Sequence, residues 1–102
     1  MTKPRYLGRV KQGIAEEFVY TDTTTKCGSS PTDPSVVAYD VTTTTWIDVS
    51  STVLDGSPSV SGDVITLPKV KNLTVDHRYR FEVTYTIGSN VFVDYFLVVG
   101  ER

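Results

Sequence analysis

The stretch from Tyr79 to Val99, YRFEVTYTIGSNVFVDYFLVV, constrains the fold more than any other part of this chain. In its first arm Tyr79, Phe81, Val83, Tyr85 and Ile87 alternate with Arg80, Glu82, Thr84 and Thr86. Period two with polar partners is the pattern of a half-buried strand. In the second arm Val91, Val93, Tyr95, Leu97 and Val99 share one face, and Phe92, Asp94, Phe96 and Val98 the other. The turn decides which sets meet. A two-residue Gly88-Ser89 loop pairs Tyr85 with Phe92 and sets Asp94 opposite Val83, sending a carboxylate into the core. A three-residue Gly88-Ser89-Asn90 loop pairs Ile87 with Val91, Tyr85 with Val93, Val83 with Tyr95 and Phe81 with Leu97. That register buries no charge and asks only that Asn90 adopt a left-handed conformation, which Asn tolerates. The three-residue loop is therefore expected, since a slip of one residue turns every side chain over.

This register points Phe92, Phe96 and Val98 outward, beside Arg80, Glu82 and Thr86. Apolar area on the solvent face of a sheet needs a cover. Either the N-terminal strand, a loop or a bulge hides it, or it is a contact surface for another subunit. Phe92, Phe96, Val98, Arg80 and Glu82 are thus the candidate interface.

At 102 residues the chain has room for one core, so residues 1–102 are expected to form a single domain. No apolar run approaches the length of a membrane span. The opening MTKPRYLGRVKQG carries charge without an apolar segment, so cytoplasmic synthesis without a signal peptide is expected. The single cysteine, Cys27, excludes an internal disulfide and sits in a polar loop, TTTKCGSSPTDP, as an incidental exposed thiol. Charge is unevenly spread. Lys3, Arg5, Arg9 and Lys11 meet no acid before residue 12, whereas residues 12–63 hold eight acids against Lys26 alone. The basic opening is a solvated strand or a match for an acidic partner surface. A net charge of −2 argues against nucleic-acid binding.

Along the chain, Pro4 to Val10 reads as an edge strand and Ala15 to Thr21 as a strand with Phe18 and Tyr20 inward. Thr23 to Pro34 is a loop by its turn chemistry. Ser35 to Val41 and Trp46 to Val49 are further strands. Ser50 to Gly62 is a second loop with Val53 and Leu54 tucked beneath it. Asp63 to Val70 is a strand, and Leu73 to His77 makes the corner into the hairpin. About seven short strands without helical periodicity predict an antiparallel β-sandwich.

The corner resembles fibronectin type III domains, which place Leu, Pro, Thr and Tyr at alternate positions before a late strand. Leu73, Val75, His77 and Tyr79 occupy those positions, with Val83 four residues after the tyrosine. Val75 and His77 depart from the pattern. The resemblance implies an immunoglobulin-like (fibronectin-III-like) sandwich, with the tyrosine ring packed under the corner and its hydroxyl bonded to nearby backbone. A second resemblance is to small Ig-like accessory proteins of phage and prophage structural gene clusters. It is carried by Tyr20-Thr21-Asp22, Asp33-Pro34, Val36-Val37-Ala38-Tyr39-Asp40, the hairpin, and Glu101-Arg102. It implies a virion or assembly component without catalysis, whose partners are proteins, either copies of itself or virion components.

The chain offers little for catalysis. His77 is the only histidine, which excludes a His-cluster metal site, and one cysteine excludes a thiolate cluster. No nucleophile elbow, phosphate-binding glycine loop or EF-hand spacing occurs. Glu16 and Glu17 fall on opposite faces of a strand. No cofactor is expected, and the leading expectation is a non-enzymatic domain that works by protein–protein contact. The alternative is a ligand-binding module, for carbohydrate or calcium, of a surface or adhesion protein. Trp46 and Tyr39 would line its carbohydrate face, although core packing is the simpler expectation for both.

Overall fold

A computed structural model describes residues 4–102; Lys3 of the basic opening lies outside them. The strands are β1 (Arg5–Gly13), β2 (Thr21–Thr23), β3 (Thr32–Asp40), β4 (Ile47–Asp48), β5 (Leu54–Asp55), β6 (Ser59–Ser61), β7 (Val64–Thr66), β8 (Lys69–Val70), β9 (Arg78–Ile87) and β10 (Asn90–Glu101). One helical turn, α1 (Ser50–Val53), precedes β5. Among the described residues no helix is long and apolar enough to cross a membrane.

The chain is all-β. A five-stranded sheet runs β1-β10-β9-β3-β4, a three-stranded sheet β2-β7-β6, and β5 pairs with β8. Their apolar faces meet in one core, an arrangement compatible with a β-sandwich. Ala38, Phe81, Val83, Tyr85, Phe96 and Val98 of the large sheet meet Val53, Ile65, Leu67, Val70 and Leu73. At roughly 1.5–3 kcal/mol for each large side chain removed from water, this cluster is the main source of stability.

The sheet pattern departs from the all-antiparallel expectation at one place: β1 lies parallel to β10. Parallel neighbours need a long crossover, and here nearly the whole domain separates the two strands. Shorter departures have local causes. Ala15 to Thr21 contributes only a bridge at Phe18 before β2, and Phe18 is exposed. Asp63 to Val70 splits into β7 and β8 at Leu67-Pro68, where proline has no N–H to donate.

The hairpin register is the main correction. β9 and β10 are joined by the two-residue loop Gly88-Ser89, with Ile87 opposite Asn90, Tyr85 opposite Phe92, Val83 opposite Asp94 and Phe81 opposite Phe96. Gly88 has φ +62°, the positive φ that a II′ hairpin demands at its first loop position. Asn90 is ordinary strand. Phe96 (8 % exposed) and Val98 are therefore core, and Phe92 is half-buried against it. They form no outward patch. The outer face carries Val91, Val93, Tyr95, Leu97 and Val99 instead.

The corner has the geometry expected for it. The Tyr79 ring is buried, and its hydroxyl accepts the Thr74 N–H at 2.8 Å. His77 Nδ1 sits 2.7 Å from Asp40 Oδ2, tying the corner to the end of β3. Gly100 lets the last strand pass this corner, because a Cβ there would lie 2.3 Å from the Thr74 carbonyl oxygen. Tyr79→Phe should cost about 1–2 kcal/mol in urea unfolding, since it strips the Thr74 N–H of its acceptor. An unchanged midpoint would mean that water replaces the hydroxyl.

Candidate functional site

Two constellations of polar side chains stand out, one on the outer face of the large sheet and one inside it. The outer one follows from the hairpin register. With Leu97 and Val99 outward on β10, their cross-strand partners Arg9 and Lys11 on β1, and Arg80 and Arg78 on β9, share that face. A bulge at Leu7-Gly8 in β1 keeps both Tyr6 and Arg9 on the outer side, opposite Tyr95 and Leu97.

The centre of this face is a stack. The Arg80 guanidinium lies 3.7 Å from the Tyr95 ring centroid and 5.1 Å from that of Trp46. Its Nε donates to Glu82 Oε2 at 2.7 Å. Tyr39 flanks Trp46 at 5.7 Å between centroids, and Tyr6 flanks Tyr95 at 5.3 Å. Five side chains from β1, β10, β9, β3 and the approach to β4 thus form one row. Trp46 is 51 % exposed, so the core position expected for it does not hold. The loop before β4 hangs over the sheet face, and Arg80 gives the indole a cationic partner there.

Beside the stack lies an open groove of ≈ 380 Å³. Leu97 and Val99 form its floor, Trp46 and Val41 one wall, and Arg9, Arg78 and Arg80 its polar rim. No carboxylate lines it. Arg80 is neutralised by Glu82, whereas Arg9 and Arg78 take part in no ion pair among the described residues. Arg78 Nη2 donates only to the Thr42 carbonyl, at 3.2 Å.

No family model matches this chain, and no curated protein matches it.

The second constellation lies on the buried side of the large sheet. Asp94 is fully buried and accepts from Arg5 Nε at 2.8 Å and Tyr85 Oη at 3.0 Å, with Lys26 Nζ at 3.3 Å. Asp22, 3 % exposed, also meets Lys26 Nζ at 3.3 Å, while its Oδ2 has no partner. Burial, and then the neighbouring Asp94 carboxylate, push the Asp22 pKa up to about 7 against the pull of Lys26. Burial alone would raise Asp94 too, but the neighbouring Asp22 carboxyl, the Tyr85 hydroxyl and the charges of Lys26 and Arg5 hold it below the ordinary carboxylate value. Burial, with Cys27 and Asp94 beside the ring, raises Tyr85. Cys27 is accordingly half-buried against the core and not the exposed thiol expected.

Paired carboxylates with one elevated pKa can exchange protons, but these two are sealed from any substrate. Their chemistry is structural. Arg5 fastens the first strand to the last, and Lys26 fastens the β2–β3 connection to Asp22 of β2 and to Asp94 of the last strand. Among the described residues no three His, Cys, Asp or Glu side chains are grouped to hold a metal ion.

Of the residues expected at an interface, Arg80 and Glu82 lie on the outer face, whereas Phe96 and Val98 are core and Phe92 packs against it beneath Arg5. Arg9 belongs to the basic opening read as a match for an acidic partner surface, whereas Arg78, Tyr95 and Leu97 were not anticipated. The signal for them was present in Gly88-Ser89, a dipeptide suited to a two-residue hairpin.

Proposed function

We propose that this chain is a non-enzymatic Ig-like domain that acts by protein–protein contact through the outer face of its five-stranded sheet. The row Tyr39, Trp46, Arg80, Tyr95 and Tyr6 carries the proposal. Trp, Tyr and Arg dominate the energetics of protein interfaces because they combine large apolar area with a directed polar tip. The Ig-like assignment is supported by the Tyr79 corner, a feature of that architecture. A role as a phage or prophage virion or assembly accessory protein agrees with such a face and rests on the sequence resemblance.

Size-exclusion chromatography with light scattering, across concentrations, tests the contact face. Self-association of the wild type that is lost in a folded Trp46→Ala/Tyr95→Ala variant supports it. Association that survives the double substitution places the contact elsewhere.

The exposure of Trp46 also favours a second reading, a carbohydrate-binding module. Trp46 is the only tryptophan in the chain, so its emission reports directly on the face. It should be red-shifted and readily quenched by acrylamide. A saturable change with soluble oligosaccharides supports the carbohydrate reading, and no change favours protein contact. The groove lining is poor in the amide and carboxylate acceptors that sugar hydroxyls require.

A further inference from the structure

We infer that the groove between β1, β10 and β9 binds an acidic peptide segment, with an apolar side chain flanked by two carboxylates. The inference rests on the outer face being a protein contact surface, and it names the chemistry of the partner.

Three observations carry it. First, the register fixes the spacing of the cations. Arg9 stands beside Leu97 on one side of β10, and Arg78 stands beside Val99 on the other. They lie two strand spacings apart and two residues apart along the strand direction, roughly 12 Å on the diagonal, with an apolar floor between them. An extended peptide crossing this floor presents every second side chain to it, so a Glu-x-Leu-x-Glu segment meets cation, floor and cation in turn.

Second, the charge is uncompensated. Three arginines and no carboxylate line the groove, and only Arg80 has an acidic partner. Arginine forks match carboxylates in a bidentate fashion. Third, the groove is unsuited to a bare anion. The N–H groups of β10 and β9 beneath it are committed to the sheet ladders on both sides, so no backbone nest on the floor cradles a phosphate. Leu97, Val99 and Trp46 offer stabilisation only to a ligand with an apolar portion. The volume of ≈ 380 Å³ lies in the range of sites for ligands of a few residues.

The test is a titration of the full chain followed by Trp46 fluorescence and amide NMR shifts. The probes are acetylated, amidated Glu-Ser-Leu-Ser-Glu, the same peptide with Gln for Glu, the same peptide with Ser for Leu, and inorganic phosphate. The Glu-Leu-Glu peptide should bind about tenfold more tightly than the Gln control at low salt, the effect of two partly exposed ion pairs. Arg9→Gln/Arg78→Gln should abolish that difference while leaving the thermal midpoint unchanged. Should the double variant lose stability, the single variants and the salt dependence of the wild type give the same discrimination.

Equal binding of the Gln peptide overturns the acidic requirement, and equal binding of the Leu-less peptide or of phosphate overturns the apolar one. Absence of binding at millimolar peptide overturns the inference altogether. If Trp46→Ala/Tyr95→Ala still disrupts self-association in that case, the contact face stands and only its acidic partner falls.

Discussion

Phe96→Ala should destabilise the protein by about 3–5 kcal/mol, the range for deleting a fully packed phenylalanine. Phe96 stacks on Phe81 with centroids 5.3 Å apart and planes 11° from parallel, and Tyr20 closes over it at 5.3 Å. Removing the ring leaves a void between the two layers that neither neighbour can fill without leaving its rotamer. In a domain of this size the loss corresponds to a fall in Tm on the order of 15 °C. Val91→Ala, by contrast, should shift stability by no more than about 0.5 kcal/mol, since Val91 is 58 % exposed. Equilibrium urea unfolding of the two variants measures the hairpin register directly. In the slipped register Phe96 would be the exposed residue, so a benign Phe96→Ala would refute the pairing described above.

The buried carboxylates should give the protein an unusual dependence on pH. Asp94 has a depressed pKa in the fold, so it contributes stability above its unfolded pKa and loses it as pH falls through the folded value. Asp40, held below its ordinary value by hydrogen bonds from Thr42 and His77 in spite of burial, acts in the same sense. Asp22 acts oppositely. Its pKa rises from 3.8 to about 7 on folding, so between those values the folded state binds the proton that the unfolded chain has released. Stability contributed by this group falls as pH rises through that window. The wild type should therefore be more stable near pH 5 than near pH 8. Asp22→Asn should flatten that slope and exceed the wild type at pH 8, because the amide still accepts from Lys26 and carries no charge to desolvate. Asp94→Ala should instead cost about 2–3 kcal/mol at neutral pH, by leaving the Arg5 guanidinium and the Tyr85 hydroxyl without their buried acceptor, while Lys26 keeps Asp22. Urea melts from pH 4 to 9 on the three proteins decide the matter. An undiminished slope in Asp22→Asn would assign the pH dependence to another group.

Much of the fold was legible in the sequence. Strict alternation in Tyr79–Ile87 specifies a strand with one buried face, and the tyrosine six residues after Leu73 specifies the corner that Tyr79 closes onto Thr74. Both signals are local, because a strand's side-chain period and a corner's hydrogen bond involve only near neighbours. Val53 and Leu54 under the second loop were legible for the same reason, being apolar residues in an otherwise polar segment.

The candidate site was not legible, and the cause is a single residue. Asp94 read as a charge that the core must reject, which moved the expected hairpin by one position and exchanged the two faces of β10. Only the tertiary structure supplies what makes its burial tolerable: Arg5 from the opposite end of the chain, Lys26 from a distant loop, and the Tyr85 hydroxyl from the facing strand. A buried charge is costly alone and acceptable when paired and hydrogen-bonded. Which residues come within 3.3 Å of that carboxylate is a property of long-range topology, here of β1 lying parallel beside β10. The sequence by itself determined the two long strands of the hairpin, the corner and the composition of the two faces. The tertiary structure decided which face turned inward, and with it the groove of Arg9, Arg78 and Trp46 that the outer surface presents.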